Sequence, residues 1–277
     1  MTKKILIISG ATASGKSAFA LQKAVQENGV IINADSMQLF EELPILSAQP
    51  SKEDQALVPH FLYSAIKHNQ NSSLKDWLEM AVRQIDAAFK AGKLPIVVGG
   101  TGLYLSKLMD GINEIPEIDE DLRKEIRGLS REELITALKY LEEDIEKLDQ
   151  QRLARRLEVL RQTGKSLTWW QQQPGKIFYP NDYFEHINLE LPRDELYRNC
   201  DERMKLMFEN GAISEVENLI AKNPSDDSLV TKTIGYQEIK DYLAGKISKI
   251  AAISQASQKT RNYAKRQLTW FRNQFNN

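Results

Sequence analysis

Residues 10–17 read Gly10-Ala11-Thr12-Ala13-Ser14-Gly15-Lys16-Ser17. The apolar run Ile5–Ile8 precedes them and is typical of a buried parallel strand, and apolar residues from Ala18 onward open a helix. This spacing of Gly, four residues and Gly-Lys-Ser binds phosphate groups, because the glycines let successive backbone N–H groups point inward at a helix N-terminus. Lys16 adds a full positive charge, and the Ser17 hydroxyl can bind Mg²⁺. The stretch predicts a phosphate-binding loop (the phosphate loop), rather than a turn that binds nothing.

Apolar runs alternate with helical segments on both sides of this loop. The runs at 4–9, 30–34, 95–98 and 186–191 read as strands, and amphipathic or capped segments lie between them. Such alternation is typical of a parallel sheet covered by helices. The sequence therefore predicts an α/β fold: a P-loop-type parallel sheet wrapped by helices.

The composition of the sequence changes near residue 115. From there to about residue 173 the chain is charged and helical, with helices expected at about 119–127, 131–143 and 146–163. We therefore expect residues 1–114 and 174–277 to form the core with its C-terminal helices, and residues 115–173 to form an inserted all-helical lobe.

Composition limits the class of protein. The chain has 277 residues, a formal net charge of −1, one cysteine and three histidines. A single cysteine cannot form an internal disulfide, and so few thiols and imidazoles argue against a zinc site. No apolar run is long enough to cross a membrane, and the charged N-terminus leads directly into a strand. We expect a cytoplasmic protein with no membrane association, and a monomer, because no coiled-coil pattern is visible.

Asp35 is the carboxylate best placed to act beside the phosphate loop. It follows the strand at 30–34, whereas the strand at 95–98 ends in Gly99-Gly100-Thr101-Gly102 and carries no acidic residue. A nucleotide hydrolase normally has a metal-binding aspartate at the end of such a later strand. Because parallel strands end at one crevice, Asp35, Thr101 and the phosphate loop should meet there. This arrangement suits proton abstraction from a nucleophile, although Asp35 could also be a helix cap.

Six motifs in order resemble those of the tRNA dimethylallyltransferase (tRNA isopentenyltransferase) family, nearly from end to end. They are residues 10–17, Asn-Ala-Asp-Ser-Met-Gln at 33–38, Val-Gly-Gly-Thr-Gly-Leu-Tyr-Leu at 98–105, Gln-Arg-Leu-Ala-Arg-Arg-Leu-Glu-Val at 151–159 with Thr-Gly-Lys-Ser at 163–166, Ile-Gly-Tyr-Gln-Glu at 234–238, and Thr-Arg-Asn-Tyr-Ala-Lys-Arg-Gln-Leu-Thr-Trp-Phe-Arg at 260–272. A phosphate loop alone is shared by many folds, but the ordered set is specific.

The resemblance implies a reaction. In this family the phosphate loop holds the pyrophosphate of dimethylallyl diphosphate, and the acceptor is the exocyclic amine of the adenosine 3′ of the tRNA anticodon. Asp35 would accept the proton of that weakly nucleophilic amine. Lys16, Thr12 and, through Mg²⁺, Ser17 would stabilise the departing pyrophosphate, and Thr101 would bind the reacting groups.

The same resemblance implies how tRNA is bound. The helical insertion would grip the anticodon stem-loop, and the target base would be drawn out of its stack. The residues implied to contact tRNA are Asp35, Ser36, Met37, Gln38, Thr101, Arg123, Gln151, Arg152, Leu153, Ala154, Arg155, Lys232, Gly235, Tyr236 and Gln237. The chain departs from the family in having Ala11 where proline is usual, and in a shorter insertion. For Trp169 and Trp170 base stacking and ordinary packing both remain open, as do RNA binding and simple solvation for the basic C-terminal helix.

Three other functions compete with this one. A small-molecule or nucleoside kinase would use the same loop for ATP, but the strand at 95–98 lacks the expected carboxylate. An enzyme that prenylates free adenine nucleotides would not need the Gln-Arg segment at 151–155. A non-catalytic RNA-binding module would not need Asp35 beside a phosphate loop.

Overall fold

A five-stranded parallel sheet is the centre of the computed structural model, which describes residues 3–139, 145–225 and 228–275. Its strands are β1 (Ile5–Gly10), β2 (Gly29–Asn33), β3 (His60–Phe61), β4 (Leu94–Gly99) and β5 (Phe184–Leu189). They lie in the order β3-β2-β4-β1-β5, and every pairing is parallel. The predicted α/β class is confirmed. The edge strand β3 was not predicted, because two residues after Pro59 carry no periodic signal.

Helices connect these strands along the chain and make up most of the remaining described residues. They are α1 (Lys16–Gln26), α2 (Lys52–Leu57), α3 (Leu74–Lys90), α4 (Gly102–Asp110), α5 (Glu120–Arg127), α6 (Arg131–Leu138), α7 (Gln150–Thr163), α8 (Leu167–Gln171), α9 (Arg193–Glu209), α10 (Ala212–Ala221), α11 (Tyr236–Leu243) and α12 (Lys249–Phe275). Within the described part of the chain, none of them is both long and apolar enough to cross a bilayer.

The chain divides into two compact units. One comprises Met1–Met109 and Tyr179–Asn277, and the other comprises Asp110–Phe178. The predicted insertion at 115–173 lies within the second unit. In that unit α5, α6 and α7 pack around Ile126, Leu134 and Leu157.

Two helices of the second unit differ from the sequence prediction. α7 begins at Gln150 rather than at 146, because the Asp149 side chain accepts a hydrogen bond from the backbone N–H of Arg152 and caps the helix there. Residues Ile145–Lys147 form a separate 3₁₀ turn. The predicted end of the preceding helix, at 143, lies outside the described residues.

The buried core of the sheet fixes the strand ends that matter here. Side chains of β1, β2 and β4 such as Leu6, Ile31 and Ile96 pack against α1. On α3, Trp77 is fully buried, and its Nε1–H donates to the Asn33 carbonyl at 2.8 Å. The Trp77 ring also stacks on Tyr104 of α4, with ring centroids 4.4 Å apart. Because α3 and α4 both hold this ring, the end of β2 is tied to the helix that follows β4.

The ends of β2 and β4 approach each other closely at Gly99. A Cβ added to Gly99 would lie 2.1 Å from the carbonyl oxygen of Ala34. The backbone N–H of Ala34 donates to Val98 at 2.8 Å, and the N–H of Thr101 donates back to Ala34 at 3.1 Å. Residue 99 must therefore lack a side chain for the two strand ends to share these hydrogen bonds.

We expect Gly99→Ala to lower the midpoint of urea unfolding, because the new methyl group would push against backbone atoms that cannot rotate away. Overpacking of this kind costs about 1–3 kcal/mol. Gly128→Ala is the control, since its Cβ would find its nearest neighbour at 3.4 Å. Equal midpoints for the two variants would contradict the importance of this contact.

Candidate active site

The phosphate loop joins β1 to α1 in the conformation that its sequence predicts. Gly15 has φ 85° and Ala13 has φ 64°, both in the left-handed region. Glycine adopts that region freely, whereas for alanine it is strained, and such strain is typical of a functional loop. The Ser14 hydroxyl is buried, and within the described residues it has no hydrogen-bond partner. An oxygen-rich anion in the loop would satisfy it.

Lys16 is the charged residue of the loop. Its Nζ donates to the Ala11 carbonyl at 3.3 Å. Burial lowers the pKa of Lys16 to about 8; the Asp35 carboxylate partly offsets this effect, and the Arg203 cation adds to it. Lys16 therefore interacts electrostatically with one carboxylate and one other cation at this site. An anion bound to the loop would stabilise the charged form of Lys16.

Arg203 of α9 also serves the loop, and sequence analysis missed it. Its guanidinium donates to the Thr12 hydroxyl, and one turn earlier Asn199 donates to the Ala13 carbonyl at 3.4 Å. Burial lowers the pKa of Arg203. The available signal was weak: Arg203 lies beside the apolar positions Leu196 and Cys200 of an otherwise charged helix. An arginine at the edge of a buried face is uncommon unless it has a partner.

Asp35 stands at the end of β2 in a turn that Asn33 holds. The Asn33 side chain accepts from the Asp35 N–H at 2.8 Å and donates to the Asp35 and Leu62 carbonyls, both at 2.9 Å. The Oδ1 atom of Asp35 accepts from the Met37 N–H at 3.0 Å, while Oδ2 lies beside Gly100. The carboxylate is thus fixed by one oxygen, and the other faces the turn after β4.

Thr101 ties that turn to the Asp35 turn. Its hydroxyl accepts from the Ser36 N–H at 3.0 Å and donates to the Ser36 hydroxyl at 3.4 Å. The structure therefore brings together Asp35, Ser36 and Thr101 through hydrogen bonds, and Lys16 lies near enough for Asp35 to act on it electrostatically.

Met37 and Gln38 follow on a 3₁₀ turn. The Gln38 amide nitrogen donates to the Ser47 and Ala48 carbonyls at 2.9 and 2.8 Å, which leaves its oxygen to accept from a ligand. The Met37 sulfur accepts from the Thr233 hydroxyl at 3.6 Å, so the segments at 33–38 and 232–237 lie side by side.

Burial separates the remaining residues implied to contact tRNA into two groups. Lys232, Gln237, Gln151 and Arg152 are exposed, and Arg123 and Arg155 are partly exposed. The side chains of Leu153, Ala154 and Tyr236 are buried in hydrophobic cores, and the tRNA contacts implied for these three residues stay predictions. Gly235 is buried with φ 100°, which permits the sharp entry into α11.

A buried carboxylate organises the arginines of the second unit. Glu158 of α7 is 1% exposed and accepts from Arg127 Nε at 3.1 Å and from Arg155 at 3.4 Å. The side chains of Arg127 and Arg155 are 62% and 41% exposed, so each still presents its cation to solvent. The nearby Arg123 Nε is buried, and no partner for it lies among the described residues. Trp169 is 39% exposed under the Lys165 ammonium, so its ring is open both to stacking and to packing.

Ser17 fits a magnesium ion that a bound diphosphate would share. Its side chain is exposed at the second position of α1, next to Lys16. Among residues 3–139, 145–225 and 228–275 there is no cluster of three or more His, Cys, Asp or Glu side chains that could hold a metal alone. Mg²⁺ commonly keeps several waters and binds through one or two protein ligands plus phosphate oxygens. A single hydroxyl beside an anion-binding loop is consistent with that mode.

Comparison with known proteins gives the family. A family model described as IPP transferase matches residues 38–274. The tRNA dimethylallyltransferase of Zymomonas mobilis is 40% identical over 98% of this chain and 88% of its own length. That of Novosphingobium aromaticivorans is 46% identical over 90% of both.

Solved structures agree with the sequence comparison. The tRNA isopentenylpyrophosphate transferase of Bacillus halodurans superimposes with a TM-score of 0.72 at 31% identity, covering 99% of this chain and 88% of that one. A eukaryotic dimethylallyltransferase described as acting on tRNA gives a TM-score of 0.83 at 26% identity, covering 97% of this chain and 70% of that one. The family model, the curated relatives and the solved structures agree, and this chain is a member of the tRNA dimethylallyltransferase (IPP transferase) family.

Proposed function

We propose that this chain transfers the dimethylallyl group of dimethylallyl diphosphate to N6 of the adenosine that lies 3′ of the anticodon in tRNA. The N6–C1 bond forms as the C1–O bond breaks, the bonding electrons leave with pyrophosphate, and the N6 proton passes to a base. The observation that carries the proposal is the placement of Asp35 beside a phosphate loop whose cations are Lys16 and Arg203. Membership of the family supplies the substrate class.

The phosphate loop stabilises the leaving group. Lys16 and Arg203 bring two positive charges to residues 12–16, and the backbone N–H groups at the start of α1 add partial positive charge. Charge on the pyrophosphate grows as the C1–O bond breaks, so groups fixed in advance around it favour the transition state over the ground state. Mg²⁺ held by Ser17 would neutralise part of the same charge.

The Asp35 turn prepares the acceptor. The adenine amine is conjugated with its ring and becomes nucleophilic only as its proton is removed. The hydrogen bond to Oδ1 fixes the orientation of the Asp35 carboxylate before the substrate binds. Oδ2 can therefore face the amine with little further loss of side-chain freedom. Ser36, the Gln38 oxygen and Thr101 lie close enough to the same turn to hold the base that carries this amine.

The second unit supplies charges for a nucleic-acid backbone. We infer that Arg127 and Arg155, set in position by Glu158, contact phosphates of the anticodon stem-loop, together with the exposed Gln151 and Arg152 of α7. A carboxylate buried between two guanidinium groups holds them by charge-assisted hydrogen bonds while their outer N–H groups remain free to bind phosphate. Such contacts set the register of the RNA and offset the cost of unstacking the target base.

The test of this function compares acceptors. Purified protein with Mg²⁺ and labelled dimethylallyl diphosphate is offered an unmodified tRNA with adenosine 3′ of the anticodon, a hairpin of its anticodon stem-loop, and AMP. We expect transfer to the tRNA and to the hairpin but not to AMP. Transfer to AMP alone would favour prenylation of free nucleotides, and transfer to tRNA but not to the hairpin would refute the anticodon stem-loop as the recognised element.

We expect Asp35→Asn to lower kcat about 10²- to 10⁴-fold, because the amide keeps the shape and the hydrogen bond from Met37 but cannot accept the amine proton. The affinity for tRNA, measured by filter binding, should stay close to that of the unchanged protein. Asp182→Asn, at an exposed position, is the control. Lost tRNA binding in Asp35→Asn would instead make Asp35 a positioning residue.

The lowered pKa of Lys16 predicts how donor binding depends on pH. In the free enzyme Lys16 is charged below about pH 8 and neutral above it, because burial lowers its pKa to about 8. A neutral amine attracts diphosphate less, so kcat/KM for dimethylallyl diphosphate should fall as pH rises through 8. Bound diphosphate raises the pKa of Lys16 again, so kcat at saturating donor should show no such step. A flat kcat/KM profile up to pH 10 would contradict this assignment.

A further inference from the structure

Gln267 of α12 lies between the phosphate loop and the turn after β4. Its Oε1 accepts from the Thr12 N–H at 2.8 Å, and its Nε2 donates to the Gly100 carbonyl at 2.9 Å. The residue is 5% exposed. Its amide orientation is unambiguous, since a backbone N–H can only donate and a backbone carbonyl can only accept. One side chain from a distant helix therefore joins the ends of two neighbouring strands.

The turn after β4 is shaped to receive α12. A Cβ on Gly100 would lie 2.3 Å from Gln267 Nε2, and a Cβ on Gly102 would lie 2.1 Å from the Trp270 ring. Both glycines are thus explained by side chains of α12 and not by backbone conformation, because neither has a positive φ. Gly100 and Gly102 are therefore the positions of this turn against which α12 packs.

The contacts of Gln267 reach both halves of the proposed reaction. On one side Thr12 belongs to the loop for the diphosphate, where Arg203 holds its hydroxyl. On the other side Gly100 precedes Thr101, whose hydroxyl holds the Asp35 turn through Ser36. The length of the Gln267 side chain consequently sets the distance between the group that leaves and the base that activates the nucleophile.

We propose that Gln267 is a positioning residue for dimethylallyl transfer, which fixes the separation between the diphosphate loop and the Thr101–Asp35 turns through its two backbone hydrogen bonds. The proposal rests on the proposed function. Gln267 forms no bond with the reacting atoms, and it acts through the two turns that do. A misplacement of about 1 Å between reacting groups can slow a reaction about 100-fold without a change of chemistry.

The experiment uses single-turnover transfer to tRNA at saturating donor. Gln267→Met keeps the volume of the side chain and removes both backbone hydrogen bonds, together with the hydrogen bond between Gln267 and the Tyr263 side chain, so we expect the rate to fall about 10- to 100-fold. The KM for dimethylallyl diphosphate should change by a smaller factor, because Lys16 and Arg203 remain. Gln255→Met, at an exposed position of the same helix, is the matched control and should react like the unchanged protein.

Gln267→Glu separates positioning from simple stability. The carboxylate that this variant carries cannot donate to the Gly100 carbonyl when it is ionised, whereas the protonated carboxyl group can. The titratable and charged groups around this position are Tyr263, Asp35 and Arg203, and all three are unchanged in the variant. The rate of the variant relative to the unchanged protein should therefore rise as pH is lowered. Gln267→Met should show a constant ratio over the same range. If Gln267→Met does not fold, the pH dependence of Gln267→Glu still decides, and a flat ratio for that variant overturns the proposal.

A third variant disrupts the contact between Gln267 and Gly100 by a change at Gly100. In Gly100→Ala the new methyl group would displace the Gln267 amide, so we expect a loss of rate similar to that of Gln267→Met. The double variant should be little slower than either single one, because both remove one interaction. Fully additive losses would overturn the proposal. Absence of transfer by the unchanged protein would count against the proposed function instead, whereas normal transfer by Gln267→Met would count against Gln267 alone.

Discussion

The close approach of the β2 and β4 ends is the constraint on which the site depends. The Ala34 carbonyl accepts from the Thr101 N–H, and the absence of a side chain at Gly99 leaves room for it. Through this contact the turn that carries Asp35 and the turn that carries Thr101 become one rigid piece. β1 lies directly beside β4, so the phosphate loop is one strand away from that piece. Strand order therefore brings the phosphate loop and the Asp35 turn to the same edge of one sheet, with only β4 between their strands.

The features predicted from sequence are those that local chemistry determines. The phosphate loop, the glycine-rich turn and the buried apolar runs each carry their signal within about ten residues, and the loop and the turn are among the motifs that resemble the family. Arg203 lies outside these motifs, and Gln267 lies within the motif at 260–272, but neither local sequence indicates a contact with the phosphate loop. Each acts on Thr12 from a position about 190 residues or more along the chain, and only the packing of α9 and α12 brings them there. Their contacts with Thr12 were not predicted because the partners lie far apart in the sequence.

The start of α7 differs from the prediction for a local reason, and burial adds detail to the motif on the same helix. A charged helix expected from residue 146 begins at Gln150 because the Asp149 carboxylate accepts from the backbone and ends the preceding turn. Of the residues implied to bind tRNA, Leu153 and Ala154 share α7 with Arg152 and Arg155, yet their side chains face the core. A sequence motif can include both residues that stabilise a helix and residues that contact a ligand. The exposed fraction of each side chain shows which residues of the motif are accessible to a ligand.

The placement of Lys16 and Arg203 at one loop has a consequence for the stability of the fold. Both cations are withdrawn from water at one loop, and the Arg203 cation adds to the burial that lowers the pKa of Lys16. A diphosphate bound at this loop, as proposed, would oppose the burial and the Arg203 cation, which lower the pKa of Lys16, as the Asp35 carboxylate already does. By linkage, the ligand that enters this loop must also strengthen the folded chain against heat and proteolysis. With dimethylallyl diphosphate as the proposed ligand, the free energy of unfolding of this protein would rise with the concentration of the donor.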